Sequence, residues 1–395
     1  MDGGRRRFDT GSVGTIAGAH AVHDTYSAFL PPLIPAFIER LALSRAEAGL
    51  LTAFLQGPSL LQPLFGRLGD HVDPRPVVAL APALTAVAMS LLGASPTYAW
   101  AALLLVVAGC SSAALHAVGP ALAAALSGDR VGRGMGFWMV GGELGRALGP
   151  LVVASGVRLL GLEGTPWLMA GGMAASALLW GRLGRLPWSA RERRGSGRRT
   201  LGRVVRDLLP VMAPMTGLLV ARAFLLAALA TFLPLFLREE GSSLFVAGSA
   251  LAVVEAAGVA GALGGGILSD RIGRRRLIAL SLVLTSPLIV AFVLLGGFWR
   301  AILLVPMGFV GLSVAPALMA AVQDAFPGDR GLANGVYQAV NFVVRSVVVV
   351  GVGALADTVG IHAAFLTCAG VALAALPLVG FLPGEVSARD LQQDL

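Results

Sequence analysis

"GILSDRIGRR", residues 266–275, and "GRLGDHVDPR", residues 66–75, are the two stretches on which the fold of this chain turns. They share a leading Gly and an Asp at the fifth position, so that Asp70 and Asp270 stand 200 residues apart. A second pair keeps the same offset: "SGDRVGRG" (127–134) and "PGDRGLAN" (327–334), with Asp129–Arg130 answering Asp329–Arg330. Two copies of one unit follow from such a period. The sequence around these motifs is oily. It is 56% hydrophobic and 13% charged, with a mean hydropathy of +0.79 over 395 residues. A soluble domain of that composition would expose far too much apolar surface.

The length suits about a dozen spans of ~20 residues across a ~30 Å hydrocarbon core. The apolar runs predict helices over 11–38, 46–67, 76–94, 97–126, 132–158 and 165–184. A second set falls at 207–237, 244–268, 276–296, 299–323, 331–355 and 360–382. They are too long and too evenly apolar for barrel strands. The 52 glycines suit close helix contact in lipid. The fold class expected is an all-α polytopic membrane protein, with twelve transmembrane helices in two pseudo-symmetric six-helix bundles. The domains are residues 1–184, an Arg-rich cytoplasmic linker over 185–206, and residues 207–395 with a short tail. Parallel repeats about an axis normal to the membrane are an arrangement used by secondary transporters, with substrate handled near midplane.

A pI of about 10.9 suggests nucleic acid, but the position of the charges argues against it. The basic residues are all Arg, and they cluster in the short segments between apolar runs. With the N-terminus inside, the cytoplasmic side receives Arg5–Arg7, Arg67, Arg75, Arg130, Arg133, the linker, Arg271, Arg274–Arg276, Arg330 and Arg389. The other side keeps Arg40, Arg45, Arg158, Arg238 and Arg300. That asymmetry predicts two cytoplasmic termini. The first apolar run reads as a retained span, because no small-residue cleavage site follows a short apolar core. Cys110 and Cys368 lie in apolar runs and imply neither disulfide nor metal. No P-loop, serine elbow, HExxH or paired-Cys motif is present, so neither an enzyme nor an ATP-driven pump is expected, and no cofactor.

A charge at the bilayer centre costs about 2.5–3.5 kcal/mol on insertion scales. Six lie near the middle of their spans: Asp24, Glu143, Arg146, Arg222, Glu255 and Arg345. Three are acidic and three basic, which permits mutual neutralisation in a shared interior. Glu143 and Arg146, three apart, share a helix face in "GGELGRALGP" (141–150). Asp24 in the first span and Arg222 in the seventh occupy matching depths, as do Arg146 and Arg345. Asp24 or Glu143 is a candidate proton carrier, since desolvation and a movable Arg shift a carboxylate's proton affinity in opposite directions. Arg146, Arg222 and Arg345 are candidates for an anionic substrate. His20, His23 and His116 are candidate proton relays. They are not expected to bind metal, for want of a Cys or carboxylate cluster at ligand spacing. Gln56, Gln338 and Asn341 are possible cavity residues, and Phe137, Trp138 and Tyr337 read best as interfacial anchors.

"GILSDRIGRRR" fits the loop signature Gly-x-Leu-x-Asp-Arg-x-Gly-Arg-Arg, and on it the chain resembles the major facilitator superfamily. The first copy departs from that pattern, with His71 for Arg and Asp73 for the second Gly. Gly145, Gly149 and Pro150 resemble the superfamily's antiporter motif in helix 5. "HAVHDTYSAFLPPLIPAF" (20–37), "LTAFLQGPSLLQPLFGRLGD" (51–70) and residues 115–150 resemble its fosmidomycin-resistance efflux branch. The resemblance implies a cytoplasmic gate at Gly66, Asp70, Gly266, Asp270, Arg271, Gly273 and Arg274. It implies proton-coupled efflux of small drugs or anionic metabolites by alternating access. An importer or facilitator of organic anions, or a lipid or lysolipid transporter, is the alternative. Expected partners are a small-molecule substrate, protons and the bilayer of a bacterial-type inner membrane. No nucleic acid is expected, and the chain is read as a monomer.

Overall fold

The computed structural model describes residues 8–43, 45–185, 201–242 and 244–382, and among these there is no strand. Most of the predicted linker, 186–200, lies outside them, as do Arg5–Arg7 and Arg389. Fifteen α-helices account for the twelve predicted spans among the described residues. Two short helices make the first span, α1 (Thr10–Ser27) and α2 (Leu30–Leu41). The second is α3 (Arg45–Gln56) and α4 (Gln62–Gly69), joined by a 3-10 turn over Gly57–Leu61. Single helices follow: α5 (Arg75–Ser90), α6 (Tyr98–Leu126), α7 (Val131–Leu160) and α8 (Met169–Leu183). The seventh span is α9 (Leu201–Leu226), a π turn over Ala227–Thr231 and α10 (Leu233–Glu239). The last five are α11 (Leu244–Ile272), α12 (Arg274–Leu294), α13 (Gly297–Ala325), α14 (Arg330–Val359) and α15 (Ile361–Ala374). Eight helical stretches among the described residues are long and apolar enough to cross a membrane.

Three spans read as continuous are therefore interrupted, and proline explains each break. Pro31 and Pro32 open α2, Pro58 opens the 3-10 turn and Pro63 opens α4, while Pro234 follows the π turn. Proline lacks the N–H that would bond the preceding turn and clashes with its carbonyl, so helices restart there.

The described residues divide into two compact units. One takes 1–129, 137–198 and 328–339; the other takes 130–136, 199–327 and 340–395. Each unit's interior is apolar. Phe29, Phe37, Leu51, Met89 and Leu105 form part of a buried cluster in the first, and the Phe236, Phe292 and Phe365 rings pack against one another in the second. Large apolar side chains such as Leu159, Leu178, Leu294, Phe298 and Val350 are exposed, as lipid-facing positions should be.

In the first unit α7 lies unusually close to α1. A methyl group added at Gly141, Gly145 or Gly149 would overlap the carbonyl oxygens of Ala17, Ala21 and Thr25 respectively. Both series step by four, so one glycine face of α7 runs along one backbone ridge of α1. The antiporter-like glycines are thus a packing surface. A Cβ at Gly181 on α8 would meet nothing within 4 Å. We expect Gly145→Ala to cost about 1–3 kcal/mol through overpacking, read as a lower Tm of the purified protein, with Gly181→Ala near wild type. Equal Tm values for the two would refute the close α1–α7 contact.

Candidate functional site

The glycine stripe brings the charges of α7 onto α1. Asp24 is almost wholly buried. Its Oδ2 accepts from Arg146 Nη1 at 3.0 Å, and Arg146 in turn pairs with Glu143. The Arg146 side chain is 49% exposed and that of Asp24 only 5%, so the guanidinium lies between the buried carboxylate and the accessible face. A lone carboxylate there would be prohibitively desolvated, and removing one partner of such a pair typically costs about 3–5 kcal/mol.

Three histidines complete the cluster. His23 Nδ1 lies 2.9 Å from Asp24 Oδ1, His20 Nε2 lies 3.3 Å from Oδ2 and His116 Nε2 lies 3.7 Å from Oδ1. His20 and His116, on α1 and α6, face each other with their Nε2 atoms 3.1 Å apart. His20 Nδ1 is bonded to the Trp138 carbonyl at 2.8 Å, and the Trp138 ring stacks on the imidazole at 3.7 Å between centroids. His116 Nδ1 is bonded to the Ser112 carbonyl at 2.9 Å. Asn334 donates to the His116 and Ala117 carbonyls. Sequence spacing had argued against any metal-type grouping, yet one atom each from His20, Asp24 and His116 falls within 4.8 Å of the others. The fold joins residues 96 apart. Arg146 on the same carboxylate makes this a poor seat for a dication, and no metal is assigned. Trp138 and Tyr337 are buried to 2% exposure, so they are interior groups and not interfacial anchors.

In the second unit Arg222 Nη1 donates to Asn341 Oδ1 at 3.3 Å, while its Nε is buried without a hydrogen-bond partner. Glu255 on α11 is half-buried, and Arg345 on α14 is exposed. Asn341 as the partner of Arg222, and Trp138 and Ser112 as supports of the histidines, carry no local sequence signal of those roles.

The repeated loops form two matching caps. In the first unit Asp70 accepts from the Gly331 and Leu332 N–H groups at 2.7 and 2.8 Å. In the second, Asp270 accepts from the Gly132 and Arg133 N–H groups at 2.8 and 2.7 Å, and also binds Arg274. In each case a carboxylate distant in sequence, Asp70 just past the end of α4 or Asp270 in the last turn of α11, satisfies the second and third backbone donors of a helix, α14 or α7, and meets the positive end of its dipole. Gly66 and Gly266 allow it, because a Cβ at either would overlap the backbone carbonyl of Gly331 or Gly132. Gly273 has φ +97°, which only glycine adopts readily. Asp73, its counterpart, needs no such conformation: the connection there is longer, and Asp73 binds the Arg75 backbone N–H and guanidinium. Arg67 reaches Asp329 at 3.0 Å, and Arg271 is exposed.

The chain matches the Major Facilitator Superfamily over residues 16–347 and 223–393, and it belongs to that superfamily of membrane transporters. It is 24% identical over 384 residues to the fosmidomycin resistance protein of Escherichia coli (strain K12), spanning 96% of this chain and 93% of that one. It is 26% identical over 374 residues to the MFS-type transporter YfnC of Bacillus subtilis (strain 168), with 92% and 89% covered. Among solved structures, the E. coli fucose:proton symporter FucP superposes with a TM-score of 0.75 at 13% identity, covering 94% of this chain and 98% of that chain. The human organic anion transporter MFSD10 gives 0.70 at 20% identity, covering 93% and 98%. The fold is that of a twelve-helix transporter, not an enzyme.

Burial pushes the Asp70 carboxyl, in the α4–α5 connection outside the spans, up to about 6. The two amide bonds and His71 pull it down and Asp329, itself held by Arg67, pushes it up. The capped carboxyl therefore binds its proton more tightly than a free one, so the stabilisation is full below the ordinary carboxylate range and fades as pH rises through about 6. Amide exchange at residues 331–332, corrected for the intrinsic rate, should slow between about pH 8 and about pH 5.5, and Asp70→Asn should abolish that dependence. Faster corrected exchange in acid would contradict it.

Proposed function

We propose that this chain is a secondary active transporter of the bacterial inner membrane, with both termini cytoplasmic, that exports small anionic compounds of the fosmidomycin type in exchange for protons. The observation that carries this reading is the Asp24–Arg146–Glu143 cluster: a buried carboxylate whose neutralising guanidinium is itself half exposed. Displacing Arg146, by substrate or by rearrangement of the helices, leaves Asp24 without its partner and makes proton uptake favourable there. The unpartnered Nε of Arg222, beside Asn341, supports a second part of the mechanism. A half-buried guanidinium with an unused Nε donor suits the oxygens of a phosphonate, phosphate or carboxylate. Alternating access then uses the two aspartate caps as latches that open and re-form at one end of the spans, Asp70 on α14 and Asp270 on α7.

The fosmidomycin resistance protein of E. coli, similar along nearly the whole chain, supports the choice of probe. In proteoliposomes loaded with fosmidomycin, a proton gradient directed against the drug should accelerate its exit. Asp24→Asn should remove the acceleration. Arg222→Gln should weaken fosmidomycin by about 10- to 100-fold, the ~1.5–3 kcal/mol of a charge-assisted hydrogen bond, and weaken a neutral substrate less. Flux indifferent to the gradient, with Asp24→Asn and Glu143→Gln fully active, would end the antiport reading.

A further inference from the structure

We propose that the proton taken up by this transporter is held between the imidazoles of His20 and His116, with Asp24 as their counter-ion, and not by a carboxylate alone. This deepens the antiport reading above and rests on it for the transport role; the presence of the proton stands on the geometry by itself.

The hydrogen bonds fix the tautomers. A backbone carbonyl only accepts, so His20 Nδ1 carries the proton donated to Trp138 and His116 Nδ1 carries the one donated to Ser112. In their neutral forms both rings then present a bare lone pair at Nε2. Those two atoms lie 3.1 Å apart, with carboxylate oxygens of Asp24 3.3 and 3.7 Å away. Four acceptors converge with no hydrogen between them, which is repulsive. One added proton between the Nε2 atoms turns the same geometry into a charge-assisted hydrogen bond.

The charge count agrees. Asp24, Glu143 and Arg146 sum to −1, and one proton on the imidazole pair brings the cluster to zero. A divalent ion would bring it to +1 beside a guanidinium, which disfavours a metal in the same place. The groups facing the pair are His23, Asp24, Glu143 and Arg146. On α5 and α8, also packed on α1, the charged residues Arg75 and Arg182 stand at helix ends. His23 cannot take the role. Its Nδ1 already donates to Asp24, and its Nε2 is buried without a partner, so a proton there would be an unsatisfied buried charge. His116 is the accessible member: its side chain is 19% exposed against 3% for His20, so the proton arrives and departs through it.

The chain contains five histidines, few enough for nitrogen-15 NMR of histidine-labelled protein in detergent. At about pH 7.5, where an ordinary imidazole is mostly neutral, wild type should show an imidazolium-type Nε2 signal shared by two coupled rings. His116→Gln should lose it and His362→Gln keep it. Two neutral rings with bare Nε2 atoms in wild type would overturn the proposal. In fosmidomycin-loaded proteoliposomes, His116→Gln should lose acceleration by the proton gradient, while His362→Gln should be accelerated like wild type. Full acceleration in His116→Gln would show the proton to be structural and sink the carrier role. A wild-type flux that ignores the gradient would remove the antiport reading, while the NMR result still decides whether the proton is there.

Discussion

A carboxylate inside a membrane protein must be neutralised where it stands, and the Asp24 environment is organised by that requirement. Its partners come from three helices: His20 and His23 on its own, His116 on α6, and Arg146 on α7. Arg146 reaches it only because α7 carries glycine at 141, 145 and 149 along the α1 backbone. Larger residues on that face would push the helices apart and leave Asp24 with histidines alone. The glycines and the charges are therefore one device, in which close packing supplies the neutralisation that burial demands.

The caps apply the same economy to backbone groups. A helix start in a crowded, apolar setting leaves donors unsatisfied, and a local Ser or Asp cap is the usual remedy. Here α7 and α14 take the carboxylate from a helix end far away in sequence, Asp270 and Asp70, so that capping a helix also ties two distant segments together. The first loop dispenses with the second glycine because its path is longer and never enters the positive-φ region. What the motif keeps in both copies, the leading Gly and the Asp, is what the contact itself needs: room for backbone against backbone, and two acceptors aimed at two amides.

Much of this was legible in the sequence. Hydropathy located the spans, because a backbone crossing lipid must bond within itself and apolar runs this long do so as helices. The 200-residue offset exposed the repeat. The pairing of Glu143 with Arg146 followed from helical period alone. Continuity was misjudged where Pro58 and Pro234 interrupt otherwise apolar stretches, since hydropathy registers no missing N–H. The approach of His116 to His20 was beyond reach, as nothing local marks two helices that will cross at those residues. Trp138 was misread for the opposite reason. A tryptophan near a span end fits an interfacial belt, and only tertiary structure shows it stacked on His20 and closed off from solvent.

Helix α7 carries both kinds of contact. Its second and third residues, Gly132 and Arg133, are held by Asp270, while Glu143 and Arg146 further along meet the charge cluster on α1. At 1.5 Å per residue the ten positions from Arg133 to Glu143 span about 15 Å of helix. No proline interrupts that stretch; Pro150 comes only beyond the site. Its first turns belong to one compact unit and its remainder to the other. The Asp270 cap and the Arg146–Asp24 pair are thus carried by one unbroken helix.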